Sequence, residues 1–229
     1  MDLQIPSHDN KSFGGYAAYP DSGRAPTVIV IQEIFGINEE MREKCDQLAA
    51  QGYVAIAPDL FWRQEPGIEL TDKTDEEWQK AFALMQGFDV DLGVRDLQST
   101  IDFIRKQPYS NGKVGAIGYC LGGKLAYLTA TRTDADCSVG YYGVCIQDLL
   151  NEAENIQNPL LLHIAEEDEF VDKDAQEKIR KSLKDHEKVT IYSYPGANHA
   201  FARGNGIHYH DESAKTANKR TEVFLKSHL

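Results

Sequence analysis

The stretch that decides the fold reads Lys113-Val114-Gly115-Ala116-Ile117-Gly118-Tyr119-Cys120-Leu121-Gly122-Gly123. Residues 113–117 predict a buried strand, and residues 118–122 follow with the spacing of a nucleophile elbow that has cysteine at the nucleophile position. Glycines are needed there because the turn from strand to helix is strained and brings backbone segments into close contact. The pattern predicts that Cys120 projects from a helix N-terminus, where unpaired amides favour a thiolate and can hold an oxyanion. The alternative is a glycine-rich packing turn around a buried cysteine.

Strands and helices alternate on both sides of this stretch. Apolar runs predict strands at 27–31, 54–57, 113–117, 138–142, 160–165 and 189–194, after short edge strands within 12–19. Helical spacing and end signals predict helices between Asn38 and Gly52, within 67–87, and at 91–107, 121–128, 175–183 and 211–228, with a turn at Asn111-Gly112. This order predicts the α/β class, specifically an α/β-hydrolase fold with a mostly parallel central sheet and helices on both faces. The absence of repeats and linkers predicts a single domain over residues 1–229.

Composition and charge argue against several classes of binding partner. The chain has 229 residues, 41% of them hydrophobic, and 24 basic against 36 acidic residues give a net charge of −12. Such a charge repels phosphate backbones and anionic membranes, so we expect neither nucleic acid nor membrane as a partner. Separately, a monomer or weak homo-oligomer is expected. The N-terminal Met1-Asp2-Leu3-Gln4 lacks a basic region followed by an apolar one, which predicts a cytoplasmic protein. The four cysteines form no CxxC pair and are expected to be free thiols.

An acid and a histidine follow later strands. Asp168 comes just after strand 160–165, and His199 comes just after strand 189–194. The order nucleophile, acid, histidine is that of an α/β-hydrolase triad, and parallel sheets place their sites at the carboxyl ends of strands. Alone, Asp168 could be a surface acid among neighbouring glutamates, and His163, inside a strand, is expected to be a core residue.

Two other features bear on the site. The strand at 27–31 leads into Gln32-Glu33-Ile34-Phe35-Gly36, and the loop in this position conventionally supplies the second oxyanion amide, here that of Ile34 beside that of Leu121. Glu33 is costly to bury unless it meets a cation or hydroxyl, or exchanges a proton with Cys120. His208 and His210 could bind a metal, but they lack a third ligand, so no metal and no cofactor are expected.

Six segments together resemble the dienelactone hydrolase (carboxymethylenebutenolidase) family, in order and over essentially the whole chain. They are residues 32–36, 58–60, 108–115, 118–123, 139–143 and 199–203. The resemblance is specific because the chain combines three features: a cysteine nucleophile, a loop that carries glutamate, and an arginine four residues after the histidine.

The resemblance implies a hydrolase that opens the dienelactone ring to maleylacetate in the breakdown of chlorinated aromatics, through a triad of Cys120, His199 and Asp168. In that family the glutamate matching Glu33 contacts the thiol, and the substrate carboxylate displaces it so that it accepts the thiol proton. The thiolate then forms only when substrate is present, which protects it from oxidation. The pocket is expected to include Arg203, Phe35, Trp78, Phe82, Met85, Tyr141 and Phe170.

One position departs from the family. The family holds the substrate carboxylate with two arginines; Arg203 matches one, and an ungapped alignment places Trp78 at the other. Losing one ion pair to a carboxylate costs about 1.5–3 kcal/mol, which favours a less anionic or bulkier ester. Alternatively, Arg63 or Lys80 reaches into the site.

Three functions therefore compete. The first is a cysteine-dependent hydrolase of small lactones or activated esters. The second is a nucleotide-binding domain that uses the glycines of 115–123 as a phosphate cradle, although their spacing matches neither GxGxxG nor a P-loop. The third is a catalytically silent relative that binds a ligand or partner.

Overall fold

A computed structural model describes residues 3–21 and 23–229. Met1 and Asp2, which belong to the N-terminal segment that predicts a cytoplasmic protein, lie outside the described residues. By its internal contacts the chain divides into two compact units, residues 1–116 and 117–229. Across the described ranges no helix is long and apolar enough to span a membrane.

The first unit combines four strands of the main sheet with three helices. The elements are β1 (Ile5–Pro6), β2 (Ser12–Phe13), β3 (Gly15–Ala18), β4 (Ala25–Ile31), α1 (Glu39–Ala50), β5 (Val54–Pro58), α2 (Asp75–Gln86), α3 (Val90–Arg105) and β6 (Ser110–Tyr119), the last of which ends in the second unit. The order of the four strands in the sheet is β3-β5-β4-β6, with β3 antiparallel and β4 parallel to β5, while β1 and β2 form a separate antiparallel pair.

The second unit contains three further strands and three helices. The elements are α4 (Leu121–Arg132), β7 (Cys137–Tyr141), β8 (Leu160–Ala165), α5 (Lys173–Leu183), β9 (Val189–Tyr194) and α6 (Asp211–His228), with two short 3₁₀ segments at Ile146–Asp148 and Leu150–Asn155. Strand β8 lies between β7 and β9 and is parallel to both. The fold is thus α/β with a mostly parallel sheet, as predicted.

Side-chain caps explain where several helices begin. The Asn38 side chain accepts a hydrogen bond from the Met41 amide at the start of α1, which confirms the predicted cap. Thr74, Asp89 and Asp172 do the same for α2, α3 and α5. Each cap satisfies an amide that has no partner inside its helix, and this sets the first turn.

Two predicted details are wrong. Asn111-Gly112 was expected to be a turn, yet both residues belong to β6, where the Asn111 side chain accepts from the Lys113 amide and supplies the turn chemistry within the strand. Strand β7 ends at Tyr141, one residue early, so Tyr142 lies beyond the strand.

Candidate active site

Cys120 stands at the turn between β6 and α4. Its backbone has φ 56°, a left-handed value that is strained for a non-glycine residue, and its amide donates to the Tyr141 carbonyl at 3.1 Å. A Cβ on Gly118 would overlap the Gly122 carbonyl, and one on Gly123 would lie 2.5 Å from the Tyr141 oxygen. The glycines are therefore required by close backbone contacts, as the sequence predicted for a nucleophile turn.

Helix α4 begins immediately after Cys120. Leu121 is the first residue of α4, and Cys120 occupies the cap position without a side-chain hydrogen bond to the helix. The first amides of a helix have no partner within it and carry partial positive charge. This end of α4 can stabilise a negative charge on sulfur or on a carbonyl oxygen bound beside it.

Asp168 is held by the backbone of its own loop. Its Oδ1 accepts hydrogen bonds from the Phe170 amide at 2.9 Å and from the Val171 amide at 3.2 Å. The residue is buried, and the loop is joined to the one before His199 by a bond from the Glu167 amide to the Ala197 carbonyl. The carboxylate therefore has a fixed direction.

The carboxylate points at the imidazole of His199. Nδ1 of His199 lies 2.9 Å from Oδ2 and 3.0 Å from Oδ1 of Asp168, and both side chains are buried. The next residue, Ala200, has φ 59°, so the chain turns sharply just after the histidine. An acid that binds Nδ1 orients the ring and leaves Nε2 to exchange protons with a reacting group.

Cys120 is a second neighbour that affects the protonation of His199. Among the described residues, Nε2 of His199 has no oxygen or nitrogen partner. Burial by itself lowers the pKa of His199, but the neighbouring Cys120 and the hydrogen bond with Asp168 outweigh it and raise the pKa to about 10. The raised pKa favours the protonated ring, which suits a histidine that gives a proton to a leaving group.

Aromatic side chains pack on the imidazole. The rings of Phe170 and Tyr142 lie edge-on to His199, with centroids at 4.8 and 5.1 Å. Phe170 nevertheless remains 48% exposed. Tyr141, expected in the substrate pocket, is instead fully buried, and Tyr142 is the residue at the histidine. The sequence shows two adjacent tyrosines here, but the strand was predicted to end at Tyr142, whereas β7 ends at Tyr141.

Behind the site lies a buried chain of hydrogen bonds. His163 Nδ1 is 2.7 Å from the Tyr194 hydroxyl, and its Nε2 is 2.9 Å from Thr221 Oγ1. Thr221 in turn lies 2.7 Å from the Tyr141 hydroxyl, which donates to Asn218 at 3.0 Å. Burial and Arg220 lower the pKa of His163 to about 3, so the ring is neutral. His163 is a core residue, as predicted, and it links β7, β8 and β9 to α6.

The loop after β4 is fixed within the first unit. The Leu70 amide donates to the Phe35 carbonyl and the Ile37 amide to the Ile68 carbonyl. Gly36, between these residues, has φ 77°, and a Cβ there would overlap the Ile68 carbonyl. Glu33 and Ile34 are buried in the same loop, Glu33 with only 3% of its surface exposed.

Trp78 belongs to an aromatic group in the first unit. Its indole Nε1 donates to the Asp72 carbonyl at 3.0 Å, and its ring stacks on Phe82 with centroids 5.4 Å apart. Phe35 packs against it edge-on at 5.0 Å. Phe82 is partly exposed and Met85 half-buried, so this group presents apolar surface next to the loop of Glu33 and Ile34.

Arg63 and Lys80, which were considered as replacements for the second substrate-binding arginine, have other partners. Arg63 donates two hydrogen bonds to the buried Asp96, at 3.0 and 2.8 Å, and also pairs with Asp9 at 2.8 Å. Lys80 pairs with Glu65 at 2.8 Å. Their predicted role as a substitute clamp is therefore not supported by the structure. In the second unit Arg203 is half-buried, and its amide donates to the Ala200 carbonyl in the loop that carries His199.

His208 and His210 have structural partners. His208 Nε2 lies 3.4 Å from Glu169, and His210 Nδ1 lies 2.8 Å from the Ser213 hydroxyl at the start of α6. Over residues 3–21 and 23–229, no group of three or more histidine, cysteine, aspartate or glutamate side chains is arranged to hold a metal ion.

Comparisons with known proteins agree with the motif resemblance. The profile of the Dienelactone hydrolase family matches residues 13–229. An Azospirillum brasilense protein provisionally named carboxymethylenebutenolidase is 49% identical over 100% of this chain and 99% of its own. The carboxymethylenebutenolidase of Pseudomonas putida is 40% identical over 97% of this chain and 94% of its own. A Klebsiella pneumoniae crystal structure, provisionally named dienelactone hydrolase, matches with a TM-score of 0.86 and 28% identity over 97% of this chain and 96% of its own.

Proposed function

The chain belongs to the dienelactone hydrolase family, and from that premise we propose that it hydrolyses small lactones or activated esters through a thioester on Cys120. The observation that carries the proposal is the contact of Asp168 with His199 Nδ1. Cys120, which lies at a strained helix N-terminus, is a neighbour of the same imidazole and raises its pKa. These are the parts of a nucleophile, base and acid triad.

The proposed reaction proceeds in two halves. The Cys120 thiolate adds to the ester carbonyl carbon, and the amides of Ile34 and Leu121 hold the oxyanion. The carbon–oxygen bond to the leaving group then breaks, the thioester remains, and the leaving oxygen takes a proton from the His199 imidazolium. Water, deprotonated by His199, next adds to the thioester, and the carboxylic acid leaves with the sulfur restored.

We assign Glu33 a role at the start of this reaction. Its side chain is buried just beyond the end of β4, where an ionised carboxylate is costly. In line with the family resemblance, Glu33 accepts the proton of the Cys120 thiol once an anionic substrate displaces it, and Arg203 binds the substrate carboxylate. Replacing Glu33 with Gln should reduce kcat, because an amide cannot take that proton.

Ester turnover by two cysteine variants tests the proposal. We expect hydrolysis of p-nitrophenyl acetate and dienelactone, abolished in Cys120→Ala and retained in Cys45→Ala. Cys45 is a matched control because it is fully buried in α1, where burial raises the pKa of its thiol and keeps it inert. Equal activity in both variants would refute the cysteine mechanism. Absence of turnover in a folded wild type would leave the silent relative as the better description.

A second candidate is a carboxylesterase for less anionic esters. It is favoured by the aromatic group of Phe35, Trp78 and Phe82 and by the engagement of Arg63 with Asp96 and Asp9. Neutral esters should then have the higher kcat/KM. Trp78→Arg should shift the preference toward carboxylated esters by about ten- to a hundredfold, the effect of one gained ion pair. An unchanged preference would remove Trp78 from the determinants of specificity.

A further inference from the structure

A groove between β9 and α6 contains several cationic side chains, although the chain as a whole is acidic. It is open to solvent, has a volume of about 610 Å³ and lies wholly in the second unit. Its lining includes three cationic side chains, Lys215, Lys219 and Arg220, together with the imidazole of His228, whose pKa is lowered by burial. Because the two lysines pair with carboxylates of α6, the charge that attracts an anion to this groove comes mainly from Arg220.

Arg220 provides the central cation of this groove. Its guanidinium carbon lies 3.9 Å from the centre of the Tyr192 ring and 5.4 Å from that of Tyr194. Within the part of the chain that the structure describes, it forms no ion pair with a carboxylate. By contrast, Lys215 pairs with Asp211 and Lys219 with Glu222. The planar face of Arg220 is thus held by aromatic rings while its charge is not neutralised.

The remaining lining is apolar and hydroxylic. Val223 is 55% exposed, and Phe224 packs edge-on to the His228 ring at 4.6 Å. Thr190, Thr216 and Ser227 add hydroxyl groups along the walls. A volume of this size suits a small organic molecule, and exposed apolar surface beside a guanidinium suits a ligand with both a charged and an apolar end.

We propose that this groove binds a small organic anion with an aromatic or aliphatic body. The carboxylate or phosphate of the ligand pairs with Arg220 and Lys219, and the body lies along Val223 and Phe224. The site is separate from Cys120, Asp168 and His199, none of which lines the groove. The proposal does not depend on the hydrolase reaction.

The experiment follows backbone amide signals of the full chain by NMR while 2-naphthoate is added, and repeats the titration with neutral 2-naphthalenemethanol. We expect saturable shifts at the amides of β9 and α6 and binding of the alcohol at least about tenfold weaker. Arg220→Gln should weaken naphthoate binding about ten- to a hundredfold, as expected for a lost charged hydrogen bond. Lys181→Gln, an exposed basic position on α5 outside the groove, should leave it unchanged.

Lys219→Gln serves as a second variant in case Arg220→Gln fails to fold, and it should weaken binding several-fold. The proposal is overturned by the absence of shifts in the groove, by equal binding of the alcohol, or by unchanged binding in the groove variants. Shifts of the same amides with protein concentration alone, abolished in Arg220→Gln, would identify an interface between copies of the chain and would also overturn it.

Discussion

Both oxygens of the Asp168 carboxylate lie within hydrogen-bonding distance of His199 Nδ1, at 2.9 and 3.0 Å. The same Oδ1 also accepts the amides of Phe170 and Val171, so the acid is oriented before it meets the imidazole. The pair therefore presets the tautomer and direction of the ring, with Nε2 left for proton exchange. Most of the proposed chemistry depends on this arrangement.

Asp168→Asn should lower kcat by about 10²- to 10⁴-fold, because the amide neither fixes the tautomer nor stabilises the imidazolium. The measurement is steady-state hydrolysis of p-nitrophenyl acetate. Asp172→Asn is the matched control, since asparagine can replace aspartate as the cap of α5. A kcat for Asp168→Asn within a factor of two of the control would contradict the role assigned to the acid.

The raised pKa of His199 makes folding stability depend on alkaline pH. Its folded value of about 10 exceeds the ordinary 6.5, so the folded state holds an extra proton between these values. This stabilisation is complete below pH 6.5 and is lost as pH rises toward 10, with a slope of at most about 1.4 kcal/mol per pH unit. Urea unfolding from pH 6.5 to 10 should show that wild type loses stability faster than His199→Gln. Parallel curves would contradict the pKa shift.

The lowered pKa of His163 acts in the acid range, with the opposite sign. Its folded value of about 3 lies below 6.5, so between these values only the unfolded chain takes up the proton. Stability present above pH 6.5 is lost as pH falls, by up to about 1.4 kcal/mol per pH unit. His163→Gln should flatten this slope in urea unfolding, whereas His186→Gln, in the turn after α5, should not. An unchanged slope in His163→Gln would show that the folded protein protonates this ring.

Thr221 should matter through its hydroxyl rather than its shape. Thr221→Val leaves the buried His163 Nε2 and Tyr141 hydroxyl without their shared partner, so we expect a loss of about 1–3 kcal/mol in the free energy of unfolding. Thr221→Ser keeps the hydroxyl and should retain most of the stability. Chemical denaturation compares the two, and equal losses would mean that the methyl group, not the hydrogen bonds, carries the effect.

The architecture could be predicted because its signals are local. Alternating strands and helices identified the α/β class, Asn38 marked a helix start, and the glycines around Cys120 marked a turn whose backbone permits no side chains. The predicted ends of strands and helices were less accurate where local sequence preference and tertiary structure differ. The Asn111-Gly112 pair has turn chemistry, yet the sheet extends through it.

The roles of individual pocket residues depended on one-residue differences in register. Tyr141 and Tyr142 are adjacent and chemically alike, but the strand ends between them. One hydroxyl therefore joins the buried chain of Thr221 and Asn218, and the other ring packs on His199. Trp78 was singled out by alignment, whereas its stacking on Phe82 and contact with Phe35 required coordinates.

The sequence by itself determined which side chains could do chemistry and in what order they follow the strands, because strand periodicity and glycine turns are properties of neighbouring residues. Only the tertiary structure decided that Asp168 meets His199, that Arg63 serves Asp96, and that basic side chains of α6 form a groove with β9. Such contacts join residues far apart in the chain, and their energies depend on burial and distance, which no local pattern contains.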